Sequence, residues 1–573
     1  MFLRFSILLC DYLGKEMNRA IDTGVVVVGA GPVGLTLAMD LASRNIDVTV
    51  LETREAGEPP NVKCNQVSAR SMEIFRRLGI ADKIRNTGLP AEYRNDVVCC
   101  ISATGTELAR IKLPSRLGRM RGEQGDDSWW PTAEFPHRIN QLFLEPLLFS
   151  QAASEPRIHI LNRTQFEEFS QNDACVTSIA RRLDDGTRIT IRSRYLAGCD
   201  GGRSVVRHGI GAEFTGVPEV QRVQSTYFRA PTLLGMLPSN PAWMYLAFNP
   251  RRCGTVMAID GVERWLIHNF LYHGETDYES VDRDWAIRNI LGVGPDFEYQ
   301  LLSKEDWIGR RLVADRFQKD RVFICGDAAH LWIPHAGYGM NAGIADAANL
   351  SWMLAGVLNG WAEPALLAAY SAERQPITDQ VSQFAFNMSQ ENTHQRREIS
   401  SDIERQDEIG RATRAAVGKE AFDLYVQQQC CGGLNFGYFY TGSPAIAYDD
   451  EPHPAYSMGH FTSSSVPGCR APHFWLNGGR CSLYDELGDG FGLLRFDSSA
   501  GISGIVDAAS RRGVPLTVLD VDDPAVFTLY ARKLVLVRPD RHVAWRSDDE
   551  PAAPLDIIDL VRGACVTRVH SAA

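Results

Sequence analysis

A glycine-rich turn near the N-terminus places the tightest limit on how this chain can fold. Gly29, Gly31 and Gly34 form a G-x-G-x-x-G pattern directly after the valine run 25–28 and within the start of a helical pattern that begins at Pro32. The first glycine permits a tight turn, the second lets the backbone approach a pyrophosphate, and the third allows close strand–helix packing. The pattern predicts a βαβ unit that binds a dinucleotide phosphate at the helix N-terminus.

A carboxylate lies at the position where a dinucleotide-binding βαβ unit contacts the ribose. Glu52 ends the second predicted strand, eighteen positions after Gly34. An acidic residue at this place accepts a hydrogen bond from a ribose 2′-hydroxyl. This favours FAD or NAD over a dinucleotide that carries a 2′-phosphate.

A second strand–turn–helix segment lies at 195–207. The strand runs into Asp200 and Gly201, and the helix after them carries Arg203 and Arg207 on one face. On its own, Asp200 can equally be a helix cap that accepts hydrogen bonds from free backbone N–H groups.

A third segment, 321–343, joins a buried strand to a glycine-rich loop and a helix. Gly326 and Asp327 lie at the carboxyl end of the strand, where open α/β sheets bind ligands. Gly339 precedes a helix that begins near Met340. Its free N–H groups would favour the negatively charged edge of a reduced flavin ring.

The composition excludes several functional classes. The 573 residues, 45% of them apolar and 23% charged, are typical of a soluble globular protein with two or three domains. A net charge of −11 argues against a nucleic-acid surface. No stretch approaches the roughly 20 apolar residues that a membrane span needs. The thirteen cysteines include no C-x-x-C, which indicates reduced cytoplasmic thiols and no metal site.

In order and spacing, the three motifs resemble the single-component (class A) FAD-dependent aromatic monooxygenases. The nearer resemblance is to phenol, 3-hydroxyphenylpropionate and polyketide hydroxylases, which carry a C-terminal thioredoxin-like domain. It covers about residues 24–573. The resemblance implies FAD as the bound cofactor, NADPH or NADH as the reductant, and O2 as the co-substrate.

The resemblance also assigns residues to the cofactors. Glu52 is expected to bind the adenosine ribose and Asp327 the ribityl chain, while Lys63 stands where the family often has an arginine. The residues expected to contact FAD or NAD(P)H are Gly29, Gly31, Pro32, Gly34, Glu52, Lys63, Arg70, Gln141, Asp200, Arg203, Gly326, Asp327, Pro334, Gly339, Met340 and Asn341.

The implied chemistry is hydroxylation of a small phenolic or polycyclic aromatic substrate. Reduced flavin and O2 give a C4a-hydroperoxide, and a base that takes the phenol proton would activate the ring. His335, Tyr338 and Tyr245 are the candidate catalytic residues, and Arg222 and His268 are candidate substrate contacts. His335 can equally shape the pocket, and core packing is the favoured alternative for Tyr245.

The predicted fold class is α/β with an α+β substrate region. We expect a Rossmann-like FAD-binding domain interleaved with a β-sheet substrate domain, then a thioredoxin-like domain that lacks C-x-x-C and contributes packing and a homodimer contact. The expected parts are an extension at 1–23, the FAD-binding domain at about 24–90, 135–214 and 310–395, the substrate domain at about 91–134 and 215–309, a helical linker at 396–464, and the thioredoxin-like domain at 465–573.

Two other functions remain open at this stage. One is a flavin dehydrogenase or oxidase that inserts no oxygen, and the other is a flavin-binding protein without turnover. A flavin halogenase is disfavoured because the segment 331–334 does not match the G-W-x-W-x-I-P motif.

Overall fold

The valine run at 25–28 lies in the middle of a parallel sheet. The structure is a computed structural model that describes residues 21–334, 337–397, 399–479 and 481–564. Strand pairing begins at Ile21, so residues 21–23 belong to the sheet and not to the expected extension. The rest of that extension lies outside the described residues, as does His335.

Strands form wherever short β-branched and aromatic runs lie between turn residues. Numbered along the chain, they are β1 Ile21–Val28, β2 Val48–Leu51, β3 Val97–Cys100, β4 Glu107–Ile111, β5 Ile158–Leu161, β6 Thr164–Gln171, β7 Val176–Arg182, β8 Arg188–Gly198, β9 Phe214–Arg229, β10 Met244–Ala247, β11 Gly254–Ala258, β12 Arg264–Phe270, β13 Gln300–Lys304, β14 Trp307–Ala314, β15 Gln318–Lys319, β16 Val322–Ile324, β17 His330–Trp332, β18 Trp475–Leu476, β19 Cys481–Ser482, β20 Phe491–Arg495, β21 Leu516–Asp520, β22 Leu534–Val537 and β23 Val543–Ser547.

Several helices begin after a Ser, Asn or Asp whose side chain accepts a backbone hydrogen bond, as Ser68 does from Ser71. The α-helices are α1 Pro32–Ser43, α2 Ala69–Arg77, α3 Ala81–Arg85, α4 Arg116–Met120, α5 Gln141–Ser154, α6 Val205–Gly209, α7 Leu233–Met236, α8 Arg283–Leu291, α9 Gly339–Leu358, α10 Ala368–Arg397, α11 Glu408–Gln429, α12 Leu483–Glu486, α13 Ser503–Arg512, α14 Pro524–Tyr530 and α15 Pro554–Val561. In the described ranges, none of these helices has both the length and the apolar character needed to cross a bilayer.

The first sheet is the nucleotide-type sheet that the glycine turn predicts. Its strand order is β15-β16-β8-β1-β2-β5, and β6 and β7 continue from β8 as an antiparallel pair. The pairs β16–β8, β8–β1, β1–β2 and β2–β5 are all parallel, so the carboxyl ends of these strands lie along one edge. All three predicted motifs therefore start from the same edge of this sheet.

The second sheet has nine strands and extends further than predicted. Its order is β17-β14-β9-β12-β11-β10-β3-β4, with β13 also paired to β9. Strands β14 and β17, which lie across or beyond the boundary predicted at about 309, also pair into this sheet. The predicted helical linker is also only partly helical: α10 crosses its start, and α11 is the only α-helix within 399–464.

The two faces of the second sheet have different neighbours, because successive side chains on a strand point in opposite directions. On the inner face, Met257 and Leu266 pack against Val62 and against α5 of the FAD-binding part. On the outer face, Val256 and Ile267 pack against α8. A ligand held between this sheet and the first one must contact the inner face.

The C-terminal region has the predicted βαβ…ββα order around a four-stranded sheet, β21-β20-β22-β23. Helix α14 lies between β21 and β22 and was not predicted. The apolar core of this region continues into the FAD-binding part, where Phe491 contacts Trp352 and Trp361 edge-on. The predicted α/β fold class is confirmed.

A buried ion-pair network joins the C-terminal sheet to α9 and α10. Arg538 is fully buried and donates to Glu373 of α10 at 2.6 and 2.8 Å, and to Asp540 at 2.7 Å. Asn349 of α9 donates to both carboxylates. Burial would lower the pKa of Arg538, but the two carboxylates raise it above its ordinary value, so the guanidinium stays charged.

We expect Arg538→Met to destabilise the protein strongly, because it leaves two buried carboxylates without their cation. The free energy of unfolding should fall by about 3–5 kcal/mol. Urea unfolding followed by tryptophan fluorescence measures this, since Trp352 lies 4.9 Å from the guanidinium. Arg532→Met is the control: that arginine is 30% exposed and pairs with Glu451 at the surface, where a pair contributes at most about 1 kcal/mol. Equal losses in the two variants would contradict the prediction.

Candidate active site

The glycine turn has the geometry that a pyrophosphate requires. Gly29 has φ +103°, and a Cβ there would lie 2.4 Å from the carbonyl oxygen of Cys199. A Cβ on Gly34 would lie 2.0 Å from the carbonyl oxygen of Gly29. A Cβ on Gly31 would meet no atom within 4 Å, and no side chain caps the helix that starts at Pro32. The N–H groups at this helix start are thus available to an anion.

Glu52 is fixed beside the turn by a chain of hydrogen bonds. It accepts from the backbone N–H of Ala30 at 2.9 Å and from Arg54, which also pairs with Glu145 at 2.6 Å. Gln141 donates to Glu145 at 2.7 Å. Burial alone would raise the pKa of Glu52, but the bonds from Arg54 and Ala30 hold it below the ordinary value. The carboxylate is therefore ionised, and it lies beside the turn where a ribose is expected.

Asp200 has a local structural role and one free oxygen. One carboxylate oxygen accepts from the N–H groups of Val205 and Val206 at 2.7 and 3.2 Å, as a helix cap does. Its other oxygen is buried and has no hydrogen-bond partner in the described part of the chain. Arg203 is exposed beside it, while Arg207 is buried against Phe214.

Asp327 lies at the carboxyl end of β16, in a short 3-10 turn. Its side chain is exposed at the cleft. The surrounding protein nevertheless removes much of the bulk water around the carboxyl group, and this raises its pKa. Beneath it, Asp346 of α9 accepts from the N–H of Gly326 at 3.2 Å, from His330 at 2.8 Å and from Arg374 at 2.9 Å. Asp346 thus holds the backbone that carries Asp327.

The start of α9 forms the opposite side of this cleft. Asn341 accepts from Ser68 N–H at 2.8 Å and from the Ser71 hydroxyl at 2.7 Å, and donates to the carbonyls of Gln66 and Gly337. Its side chain is therefore fully used, and only its backbone could meet a flavin.

Three further residues lie near the start of α9. Pro334 is exposed in the loop that leads into this helix. Cys64 and Lys63 lie near Asp327, whose charge, together with burial, raises the pKa of the Cys64 thiol to about 12.

These features fit FAD. The open side of Gly31 suits a pyrophosphate, the Glu52 carboxylate suits a ribose, and the uncapped start of α9 suits the electron-rich edge of an isoalloxazine ring. The described residues include no cluster of His, Cys, Asp and Glu that could hold a metal ion.

Four residues that the sequence predicts at the site make other contacts in the structure. Arg70 donates to the carbonyl of Asp540 at 2.6 Å, in the contact with the C-terminal domain. Tyr245 is 1% exposed on the outer face and its hydroxyl accepts from Ala242 N–H, so its prediction as a catalytic residue is wrong.

Arg222 has the side-chain direction opposite to His268 and pairs with Glu219 at the surface, so it does not reach an inner-face ligand. Tyr338 is buried against Ile377 and Leu434, which favours packing over proton transfer.

His268 lies on the inner face, as a substrate contact should. Its ring is half-buried and lies edge-on to Trp307, with centroids 5.7 Å apart. Burial, and then the charge of Arg396, lowers the pKa of His268 to about 4. The imidazole is therefore neutral near pH 7, and it suits hydrogen bonding better than proton abstraction.

The sequence analysis missed Arg54, Glu145 and Asp346. A signal existed for Glu145, which is four positions after Gln141 on one helix and thus on the same face. Asp346 contacts Gly326 and Arg374, which are 20 and 28 positions away. No local pattern shows such a contact.

Comparison with known proteins identifies the family. A family described as "FAD binding domain" matches residues 22–385, and one described as "Aromatic-ring hydroxylase, C-terminal" matches residues 464–560. The chain belongs to the FAD-dependent aromatic-ring hydroxylases. It is a monooxygenase that uses FAD, NAD(P)H and O2, which confirms the main functional prediction over the oxidase and scaffold alternatives.

Individual relatives match nearly the whole hydroxylase. Phenol 2-monooxygenase from Pseudomonas sp. (strain EST1001) is 29% identical over 96% of this chain and 94% of its own. Tetracenomycin B2 monooxygenase-dioxygenase from Streptomyces olivaceus is 30% identical over 94% and 98%. The solved structure of the rebeccamycin biosynthetic enzyme RebC with reduced flavin has a TM-score of 0.86 and 32% identity, and covers 96% of this chain and 100% of its own.

We expect substitutions at two glycines of the turn to act differently. Gly31→Ala should leave the FAD-free hydroxylase as stable as the wild type, because φ −75° suits any residue and no atom is close. It should weaken FAD binding about tenfold, because the methyl group occupies the place of the pyrophosphate. Gly34→Ala should lower stability by about 1–3 kcal/mol or more.

Thermal unfolding of the FAD-free variants and FAD titration by fluorescence separate these effects. A Gly31→Ala protein with the wild-type Kd for FAD would rule out a pyrophosphate at this turn.

Asp346→Asn should weaken FAD binding by about tenfold or more, because hydrogen bonds to a charged group contribute about 1.5–3 kcal/mol each. The Kd for FAD, measured on the refolded FAD-free protein, tests this. Asp507→Asn, at an exposed position of α13, is the charge-matched control. A variant that loses thermal stability but keeps the wild-type Kd would show that Asp346 serves the fold alone.

Proposed function

We propose that this hydroxylase acts on a polycyclic phenol bound between the inner face of the second sheet and helices α10 and α11. The single observation that carries this proposal is that aromatic and uncharged polar side chains lie together on the inner face and on the helices next to it. Thr255 and His268 pair on adjacent strands of the inner face, and Phe270 follows on the same face. Asn392 of α10 lies one helical turn before Arg396, whose guanidinium contacts Phe270, and forms an amide pair with Gln428 of α11.

Some relatives are named for substrates larger than phenol, although others are named for phenol and 2,4-dichlorophenol. A solved structure of aklavinone-11 hydroxylase with FAD and aklavinone has a TM-score of 0.77 and 27% identity to this chain. Other relatives are named for tetracenomycin B2 and for polyketides. We therefore favour a multi-ring substrate with several oxygen atoms.

The chemistry that bound FAD would supply is acceptance of hydride from NAD(P)H and activation of O2. The protein's part is to orient the substrate, exclude water and favour charge where it develops. The N–H groups at the start of α9 favour negative charge close to them. The neutral ring of His268 can hydrogen-bond a phenolic hydroxyl, and it adds no charge to the space.

Arg138 completes the polar lining on the flavin side. It is buried, stacks on Trp243 at 4.0 Å, and donates to Gln66 and Gln429. Gln66 lies 3.5 Å from the Cβ position of Gly337, in the loop that leads into α9. We propose that Arg138 and its two glutamines contact the oxygenated ring next to the flavin.

For the reductant, we propose a groove beside Asp200 and Arg203. The exposed guanidinium of Arg203 offers a cation for a phosphate. This group does not distinguish NADH from NADPH.

A substrate panel tests the proposal. We expect 1,8-dihydroxyanthraquinone to accelerate NAD(P)H oxidation more than 1-naphthol, and 1-naphthol more than phenol, while unsubstituted anthraquinone should not. One 18O atom from 18O2 should appear in the product. Equal rates across the panel, or label in water and peroxide alone, would overturn the polycyclic phenol as substrate.

A further inference from the structure

A buried arginine at the far end of the inner face has no counter-charge. Arg396, near the C-terminus of α10, is 6% exposed. Its guanidinium carbon lies 3.7 Å from the ring centroid of Phe270, and its Nη2 donates to the hydroxyl of Tyr425 at 3.0 Å. Among the residues that the structure describes, no carboxylate lies within ion-pair distance of it. Some other buried arginines, such as Arg374 and Arg538, do have such a partner, whereas Arg138 has none among the described residues.

Part of this guanidinium has no partner at all. Nη1 is buried and makes no hydrogen bond to any described residue. The adjacent Gln395 is 5% exposed, and neither its amide nitrogen nor its amide oxygen has a described partner. Buried polar groups are almost always paired, and a buried charge without a counter-charge is strongly unfavourable. The unpaired Nη1 of Arg396 therefore points to a ligand that is not part of the chain.

The position of Arg396 identifies the space that this ligand occupies. Phe270 and His268 are two positions apart on β12, so they lie on the same inner face. The ring centroids of His268 and Phe270 are 6.3 Å apart, and the guanidinium of Arg396 lies on Phe270, so the three side chains are neighbours. Tyr425 of α11 lies edge-on to Phe248, next to the same sheet. The unpaired guanidinium therefore lies at the α10–α11 end of the proposed substrate space.

We propose that Arg396 binds a carboxylate on the aromatic substrate, so that the polycyclic phenol of the proposed function also carries an acid group. This inference rests on the proposed function, since it assigns the far end of the same site. A guanidinium whose flat side lies on Phe270 still presents its N–H edge, and that edge matches a carboxylate. Because Tyr425 accepts from Arg396, its own O–H remains free to donate to the second carboxylate oxygen.

A purely structural role for Arg396 makes a different prediction. In that case the side chain would only join α10 to α11 and the sheet. Its removal would lower stability, but it would not change a preference between charged and neutral ligands. A ligand pair that differs in charge and hardly in shape distinguishes the two roles.

The experiment compares 2-naphthoate with 2-naphthamide, titrated into the FAD-loaded enzyme without reductant. The change in flavin absorbance reports binding. We expect the wild type to bind 2-naphthoate at least about tenfold more tightly than 2-naphthamide, because a charge-assisted bidentate hydrogen bond is lost in the amide. Arg396→Met should abolish this ratio and leave the Kd of 2-naphthamide within about threefold, and Arg396→Lys should restore part of the ratio.

Arg397→Met is the matched control, since it removes the same charge from the next position of α10, where the side chain is exposed. It should keep the wild-type ratio. A wild type that shows no preference for 2-naphthoate, including one that binds neither compound, overturns the proposal, and so does a preference that survives in Arg396→Met.

If Arg396→Met does not fold, Tyr425→Phe takes its place in the titrations. This variant keeps the buried cation but removes one donor, and it should lower the ratio at least about threefold. An unchanged ratio in this variant also overturns the proposal. Because these titrations involve neither NAD(P)H nor O2, their failure differs from a failure of hydroxylation, which the 18O measurement detects.

Discussion

The close contact between helices α1 and α9 at the carboxyl edge of the first sheet determines most of what this site can do. A Cβ on Gly343 of α9 would lie 2.6 Å from Val33 of α1 and 2.9 Å from the Cα atom of Gly326. The glycines let both helix N-termini reach the same cleft. A dinucleotide can then place its phosphates at one helix start and its ring at the other. Asp346 and Asn341 act from within α9, where they hold the two loops that border the cleft.

Sequence reasoning was most successful where function depends on local backbone geometry. The turn at Gly29–Gly34, the strand before Asp327 and the start of α9 all follow from glycine positions and apolar runs. It failed where the outcome depends on which side of a strand faces the ligand. Tyr245 and Arg222 lie on the predicted substrate sheet, but on the outer face or at its surface, whereas His268 faces inward. Strand alternation gives two faces, and only tertiary packing decides which of them meets the flavin.

Long-range contacts account for the other differences. The boundary expected at 309 falls inside β14, which continues across that position because it pairs with β9 far earlier in the chain. The resemblance placed Arg70 among the cofactor-binding residues, but its guanidinium donates to the carbonyl of Asp540, 470 positions away. Helix α14 did carry a local signal. Asp523 caps it and Pro524 occupies its first position, but the sequence after them is rich in β-branched and aromatic residues, as strands are.

The C-terminal domain is joined to the cofactor-binding helices by buried charge as well as by apolar packing. Arg538 lies between Glu373 and Asp540, and Asn349 connects both carboxylates to α9. The C-terminal domain therefore holds α9 at Asn349 and α10 at Glu373. The positions of the flavin-side loop and of Arg396 depend on these two helices.

The placement of Cys64 has a further consequence, for the durability of the enzyme. A catalyst that activates oxygen exposes its own sulfur atoms to oxidation, and the thiolate is the form that oxidants attack. The surrounding protein and the nearby negative charge of Asp327 raise the pKa of this cysteine to about 12, although its side chain is exposed. The same carboxylate that lies beside the cofactor site thus disfavours the thiolate of the neighbouring cysteine.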